Sequence, residues 1–153
     1  MFTTTITNNP TIIDSKIEEL KRIASPILGL DVVVESNPDI NRASLIQLCN
    51  GSTCLIIQLS HLPHVPASLK SFLSHPNVTF VSVGIKSHNQ KLVPDYGIAC
   101  ANAVELGKLS SRVCGKAEYE KYGLPDLASL IAGVRVEKPE HVRVRDWECW
   151  NAW

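Results

Sequence analysis

Apolar positions along the 153-residue chain recur with two periods. Ile13, Ile17, Leu20 and Ala24 follow helical spacing behind Asn9 and Pro10, which suit a cap and a first turn, so a helix is predicted there until Pro26 stops it. A short β-rich stretch, residues 3–7, precedes it. Residues 27–35 are β-branched and nearly continuous in apolar side chains, the pattern of a central strand covered on both faces. After a polar turn at 37–41, two apolar runs, 43–49 and 54–59, flank Asn50-Gly51-Ser52-Thr53, and an Asn-Gly turn between apolar runs signals a hairpin.

The second half alternates in the same way. A proline-punctuated loop, 61–66, leads to a short helix with Leu69, Phe72 and Leu73 on one face, and 78–85 reads as another buried strand. Ser87 is the expected cap of a helix through Tyr96, with Gly97 at its C-terminal end. A brief strand at 101–104, a helix at 106–113, a loop at 114–122 and a last helix carrying Leu124, Leu127, Ala128 and Ile131 before Gly133 complete the order. Residues 134–153 are charged and contain Trp147, Trp150 and Trp153. Three meandering strands followed by alternating helices and strands predict one α/β domain over residues 1–153, a central mixed β-sheet flanked by helices.

Composition narrows the function classes. Hydrophobic residues make up 44% and charged residues 20%, as in a folded globular chain. Fifteen basic residues balance 15 acidic ones, so the basic excess of a dedicated nucleic-acid binder is missing. No stretch has the length of a membrane span, and residues 1–10 do not read as a secretory signal, so no membrane partner is expected. The five cysteines lack Cys-x-x-Cys spacing, which predicts free or buried thiols in a reducing compartment, nuclear or cytoplasmic, and speaks against a disulfide framework or a zinc site.

Several strings carry a resemblance. Gly29-Leu30-Asp31-Val32, then Ala43 onward to Cys49 and Cys54 onward to Leu59, resembles the opening three strands of the Werner-type 3'-5' exonucleases. Residues 78–85 with Lys91-Leu92 and Asp95-Tyr96-Gly97 are similar to the segment of that family's second motif, and Glu137-Lys138-Pro139 with Asp146-Trp147 to the stretch before its third. The match runs in order from Ile6 to Trp147. It implies an RNase H-like fold and removal of nucleotides from a DNA or RNA 3' end by two metal ions, Mg2+ or Mn2+.

Two-metal hydrolysis needs several carboxylates to hold cations about 3.5–4 Å apart. In the family the first strand supplies Asp-x-Glu, the junction after the fourth strand an Asp, and a C-terminal helix Tyr-x-x-x-Asp. Here Asp31 matches the first acid, Val33 stands at the expected Glu and His88 at the expected Asp, and the third motif has no counterpart before Trp153. Asp31 is thus the one carried-over catalytic and metal-binding candidate, and the resemblance implies that Mg2+ or Mn2+ is not held productively. Residues two apart share a strand face about 6.6 Å from one another, whereas Glu35, about 13 Å from Asp31 along the strand, needs a bulge to take Val33's place.

The remaining candidates have plain alternatives. Lys86, Lys91, Arg143 and Arg145 are positioned to touch phosphates, or else form a solvated face. His88 is a ligand or an exposed helix-start histidine. The three tryptophans stack on unpaired bases or form an apolar surface; packing is expected for Trp147 and exposure for Trp153, with self-association through that surface. Three readings stay open: a catalytically degenerate exonuclease-like domain that keeps weak nucleic-acid binding, a residually active metal-dependent exonuclease, and a non-catalytic protein-interaction module. Metal-dependent digestion separates the first two, and sedimentation tests the third.

Overall fold

A computed structural model describes residues 2–23, 26–35, 37 and 39–137. Strand β1 (Thr3–Thr7) leads into helix α1 (Pro10–Arg22), whose start is fixed as expected: the Asn9 side chain accepts from the Thr11 amide, and Pro10 needs no donor there. Strands β2 (Ile27–Val34), β3 (Ala43–Asn50) and β4 (Thr53–Gln58) form the meander, with Gly51 at φ 55 in the turn between the last two. Then come α2 (Ala67–Leu73), β5 (Thr79–Ser82), α3 (Ile85–Tyr96), β6 (Ala103–Glu105), α4 (Leu106–Cys114) and α5 (Leu124–Ala132).

The six described strands form one mixed sheet in the order β1-β4-β3-β2-β5-β6. The meander pairs are antiparallel, while β1 on β4, β5 on β2 and β6 on β5 are parallel. Register explains the core. Leu28, Leu30 and Val32 of β2 share a face with Ile46 and Leu48 of β3, Leu55 and Ile57 of β4, and Phe80 of β5, all buried. Ile13, Ile17 and Leu20 of α1 and Leu69, Phe72 and Leu73 of α2 belong to the same buried cluster. Burial of such side chains contributes roughly 1.5–3 kcal/mol each.

Four expectations need correction. Strand β2 is not covered on both faces: its burial alternates, and Asp31 is exposed while Leu30 and Val32 are buried. The strand over 78–85 ends at Ser82, because Gly84 turns the chain at φ 86 into α3. Ser87 does not cap α3, since it falls inside the helix. Cys49 and Cys54 are joined in a disulfide, with Cα atoms 4.2 Å apart, because the hairpin register sets them directly opposite. Among the described residues Cys100 and Cys114 are the free thiols, and burial pushes Cys100 up to about 11. No helix of the described residues is long and apolar enough to cross a membrane.

Candidate functional site

Strands β2 and β5 pair in parallel through Gly29 and Val81. Beyond that pair Ser82 still pairs with Glu105 of β6, then Val83-Gly84 leads out of the sheet into α3, whose first turn brings His88 beside Asp31. His88 Nε2 thereby lies 3.6 Å from Asp31 Oδ1, and His88 Nδ1 lies 3.0 Å from the hydroxyl of buried Ser82. The His88 side chain is only 12% exposed and that of Asp31 54%. Burial lowers the His88 pKa from its ordinary value, against the opposing pull of Asp31 and Glu105. The Val32 amide also donates to Asp31 Oδ1 at 2.9 Å.

The head of α3 has an unusual partner. Glu105, the last residue of β6, accepts from the Gly84 amide with both oxygens, at 3.0 and 2.9 Å, and from the Ile85 amide at 3.0 Å. A carboxylate on the first amides of a helix satisfies donors that have no partner within the helix. Around Asp31 a cleft of about 420 Å³ opens, walled by Gly29, Gln47, Cys49, Ser82, Leu106 and Leu124.

Glu35 is withdrawn from this cleft. Its pairing partner strand slips in register between Val33 and Val34, where Ser44 is the extra residue and its hydroxyl donates to the Val33 carbonyl. Glu35 Oε1 then accepts from Arg42 Nη2 at 2.7 Å and Nε at 2.9 Å, with the Glu35 side chain only 2% exposed. That hydrogen bond raises the Arg42 pKa. The extra residue lies on β3 and not in β2 between Asp31 and Glu35, so Glu35 does not move into Val33's place and pairs with Arg42 instead.

Two hard cations need oxygen ligands from several carboxylates. At this cleft Asp31 supplies one, half-buried Val33 supplies none and His88 offers nitrogen. Among the described residues no group of three or more His, Cys, Asp or Glu side chains could hold a metal ion. The described donor set does not fit a pair of Mg2+ or Mn2+ ions.

The basic candidates are dispersed. The Lys91 amine donates to the Asn41 side chain, tying α3 to the turn between β2 and β3. Exposed Lys86 lies two residues before His88, about 200° around the helix. It borders a separate hollow with Asn89, Gln90 and Cys100. Arg143, Arg145 and the three tryptophans lie outside the described residues. Ser82, Glu105 and Arg42 were not singled out from the sequence; only the fold, across 6, 21 and 7 residues of chain respectively, gives them their partners.

A family model described as 3'-5' exonuclease matches residues 17–151. A 3'-5' exonuclease of Drosophila mojavensis is 32% identical over 112 residues, covering 69% of this chain and 33% of the relative. One from Arabidopsis thaliana is 26% identical over 140 residues, covering 87% of this chain and 48% of the relative. The chain therefore spans from about a third to about half the length of these relatives. Among solved structures, RNase D of Trypanosoma brucei superposes with a TM-score of 0.77 at 12% identity, over 98% of this chain and 56% of that one. The EXD2 exonuclease domain soaked in Mg and dGMP gives 0.66 at 20% identity, over 99% and 78%. These two likenesses establish the RNase H-like fold, and with the family model running along most of its length, the chain belongs to the 3'-5' exonuclease domain family.

Proposed function

We propose that this domain binds 3' ends of DNA or RNA and hydrolyses them little or not at all. The observation that carries the reading is the donor set at the cleft: Asp31 faces His88 rather than a second acid, with Val33 two residues on and Glu35 held by Arg42. Without several carboxylates, neither an attacking water nor a leaving oxygen has a second cation to stabilise it. What supports retained binding is the cleft itself, open beside an apolar wall of Leu106 and Leu124 that suits an unpaired base. Arg143 and Arg145 belong to the same proposal as phosphate contacts.

The test is digestion by the purified chain of single-stranded and recessed 3' ends with Mg2+ or Mn2+. Negligible hydrolysis is expected alongside measurable, salt-sensitive binding of the same oligonucleotides. Robust metal-dependent degradation that Asp31→Asn abolishes would overturn the reading in favour of an active exonuclease.

A second reading, self-association, is favoured by one observation. Leu130 and Ile131 of α5, and Val134 and Val136 after it, are each exposed. Soluble monomers rarely leave large contiguous apolar patches bare, and these neighbours in sequence are taken to form one. Sedimentation at rising concentration tests it, and a single monomeric species throughout sinks it.

A further inference from the structure

We propose that the Cys49–Cys54 pair is a reversible thiol–disulfide site for low-molecular-weight thiols, attacked at Cys49 from the cleft. Its surroundings are the first argument. Both cysteines are half-buried and lie outside the buried cluster, although Leu48 and Leu55 beside them belong to it. The bond therefore sits on the open face of the sheet, where a dissolved thiol can reach it. It joins residues only 5 apart, in a hairpin whose other pairs, Leu45 with Gln58 through Asn50 with Thr53, hold the register without it. A short loop constrains the unfolded chain less than a long one, so opening the bond leaves the fold in place.

The direction of approach is the second argument. Thiol–disulfide exchange is a displacement at sulfur, in which the incoming thiolate lines up with the bond that breaks. Across the open face the strands set Val81, Gly29, Cys49, Cys54 and Thr4 side by side. Attack on Cys54 must come over the Thr4 side chain, whereas attack on Cys49 comes over Gly29, which has none. Nothing in the backbone requires a glycine there: its φ is not positive, and an added Cβ would meet the Cys49 carbonyl oxygen at an ordinary 3.7 Å. The missing side chain leaves an open path, and Gly29 and Cys49 both wall the cleft from which a solute would enter.

The chemistry balances with a small thiol such as glutathione. Its thiolate bonds to Cys49 Sγ, the bond to Cys54 Sγ breaks, and Cys54 leaves as a thiolate that takes a proton from solvent. A second thiolate attacks the small molecule's sulfur in the mixed disulfide, releasing Cys49 and forming the oxidised small disulfide. The small disulfide drives the reverse reaction. Cys100 is a poor competitor, because burial pushes its thiol up to about 11 and leaves little thiolate.

This inference does not rest on the nucleic-acid reading, because its readout is the state of the cysteines alone. The experiment incubates the purified full chain, without denaturant, in graded mixtures of reduced and oxidised glutathione. Acid quenching, alkylation and peptide mass then report each cysteine separately, with circular dichroism as the check on folding. The pair should open and reclose reversibly with the dichroism unchanged. In Cys54→Ser, where no opposite thiol can resolve the adduct, oxidised glutathione should leave one glutathione on Cys49. In Cys49→Ser the adduct on Cys54 should form several-fold more slowly, and Gly29→Val should slow opening of the intact pair several-fold. A bond that opens only in denaturant, a pair that never closes, no adduct on Cys49, or equal rates in the two serine variants overturns the proposal. If Gly29→Val does not fold, the two serine variants decide.

Discussion

The two faces of the sheet are built by alternate residues of the same strands, yet they differ in kind. Leu28, Leu30, Val32, Ile46 and Leu48 are buried in the cluster shared with α1 and α2. Their neighbours Gly29, Asp31, Gln47 and Cys49 wall an open cleft. Stability therefore lives on one face and chemistry on the other. A chain of this design can hold Val33 and His88 where the family resemblance leads one to expect acids and still keep the fold, since neither position belongs to the packed face.

Three substitutions break or sharpen that contrast. Phe72→Ala has the largest expected effect: the ring is buried and meets Phe80 edge-on with centroids 5.6 Å apart. Its loss should lower unfolding free energy by about 3–5 kcal/mol in urea denaturation. A cost below about 1 kcal/mol, the level of a surface change, would dissolve the distinction between the faces. Glu35→Gln comes next, because it keeps the shape but removes the charge that receives two Arg42 donors. The expected loss is about 1–3 kcal/mol, moderated because Arg42 is 44% exposed and regains water. Asp31→Asn is the smallest, within about 0.5 kcal/mol in the same measurement. A large loss there would make Asp31 a structural residue and the cleft a poor candidate for chemistry.

Much of the element order was legible because it depends on local signals. Asn9-Pro10 started α1, the Asn50-Gly51 turn joined β3 to β4, and Gly97 ended α3 in a left-handed conformation. Alternation in β2 was harder to see. Its side chains are apolar at Val33 and Val34 as well as at Val32, so composition concealed which face was open. The disulfide was concealed by a rule about spacing: Cys49 and Cys54 look unrelated as a motif, but a hairpin closing at Gly51-Ser52 sets them opposite. The nearness of Asp31 and His88 depends on a parallel pairing between β2 and β5 that periodicity does not specify, and the family resemblance suggested it. Arg42 was passed over because a register slip, not strand alternation, turns Glu35 towards it.

The grip of Glu105 on Gly84 and Ile85 has a consequence for any polyanion that arrives. Helix beginnings are ready-made seats for phosphate, and α3 begins beside the cleft. Here the seat is taken by a resident of the chain itself. A phosphate docking there would have to evict a carboxylate and then replace it, exchanging one anion for another with little left over to tighten the embrace. The domain thus carries its own internal competitor, and any hold on a nucleic-acid backbone would have to come from side chains farther along the surface.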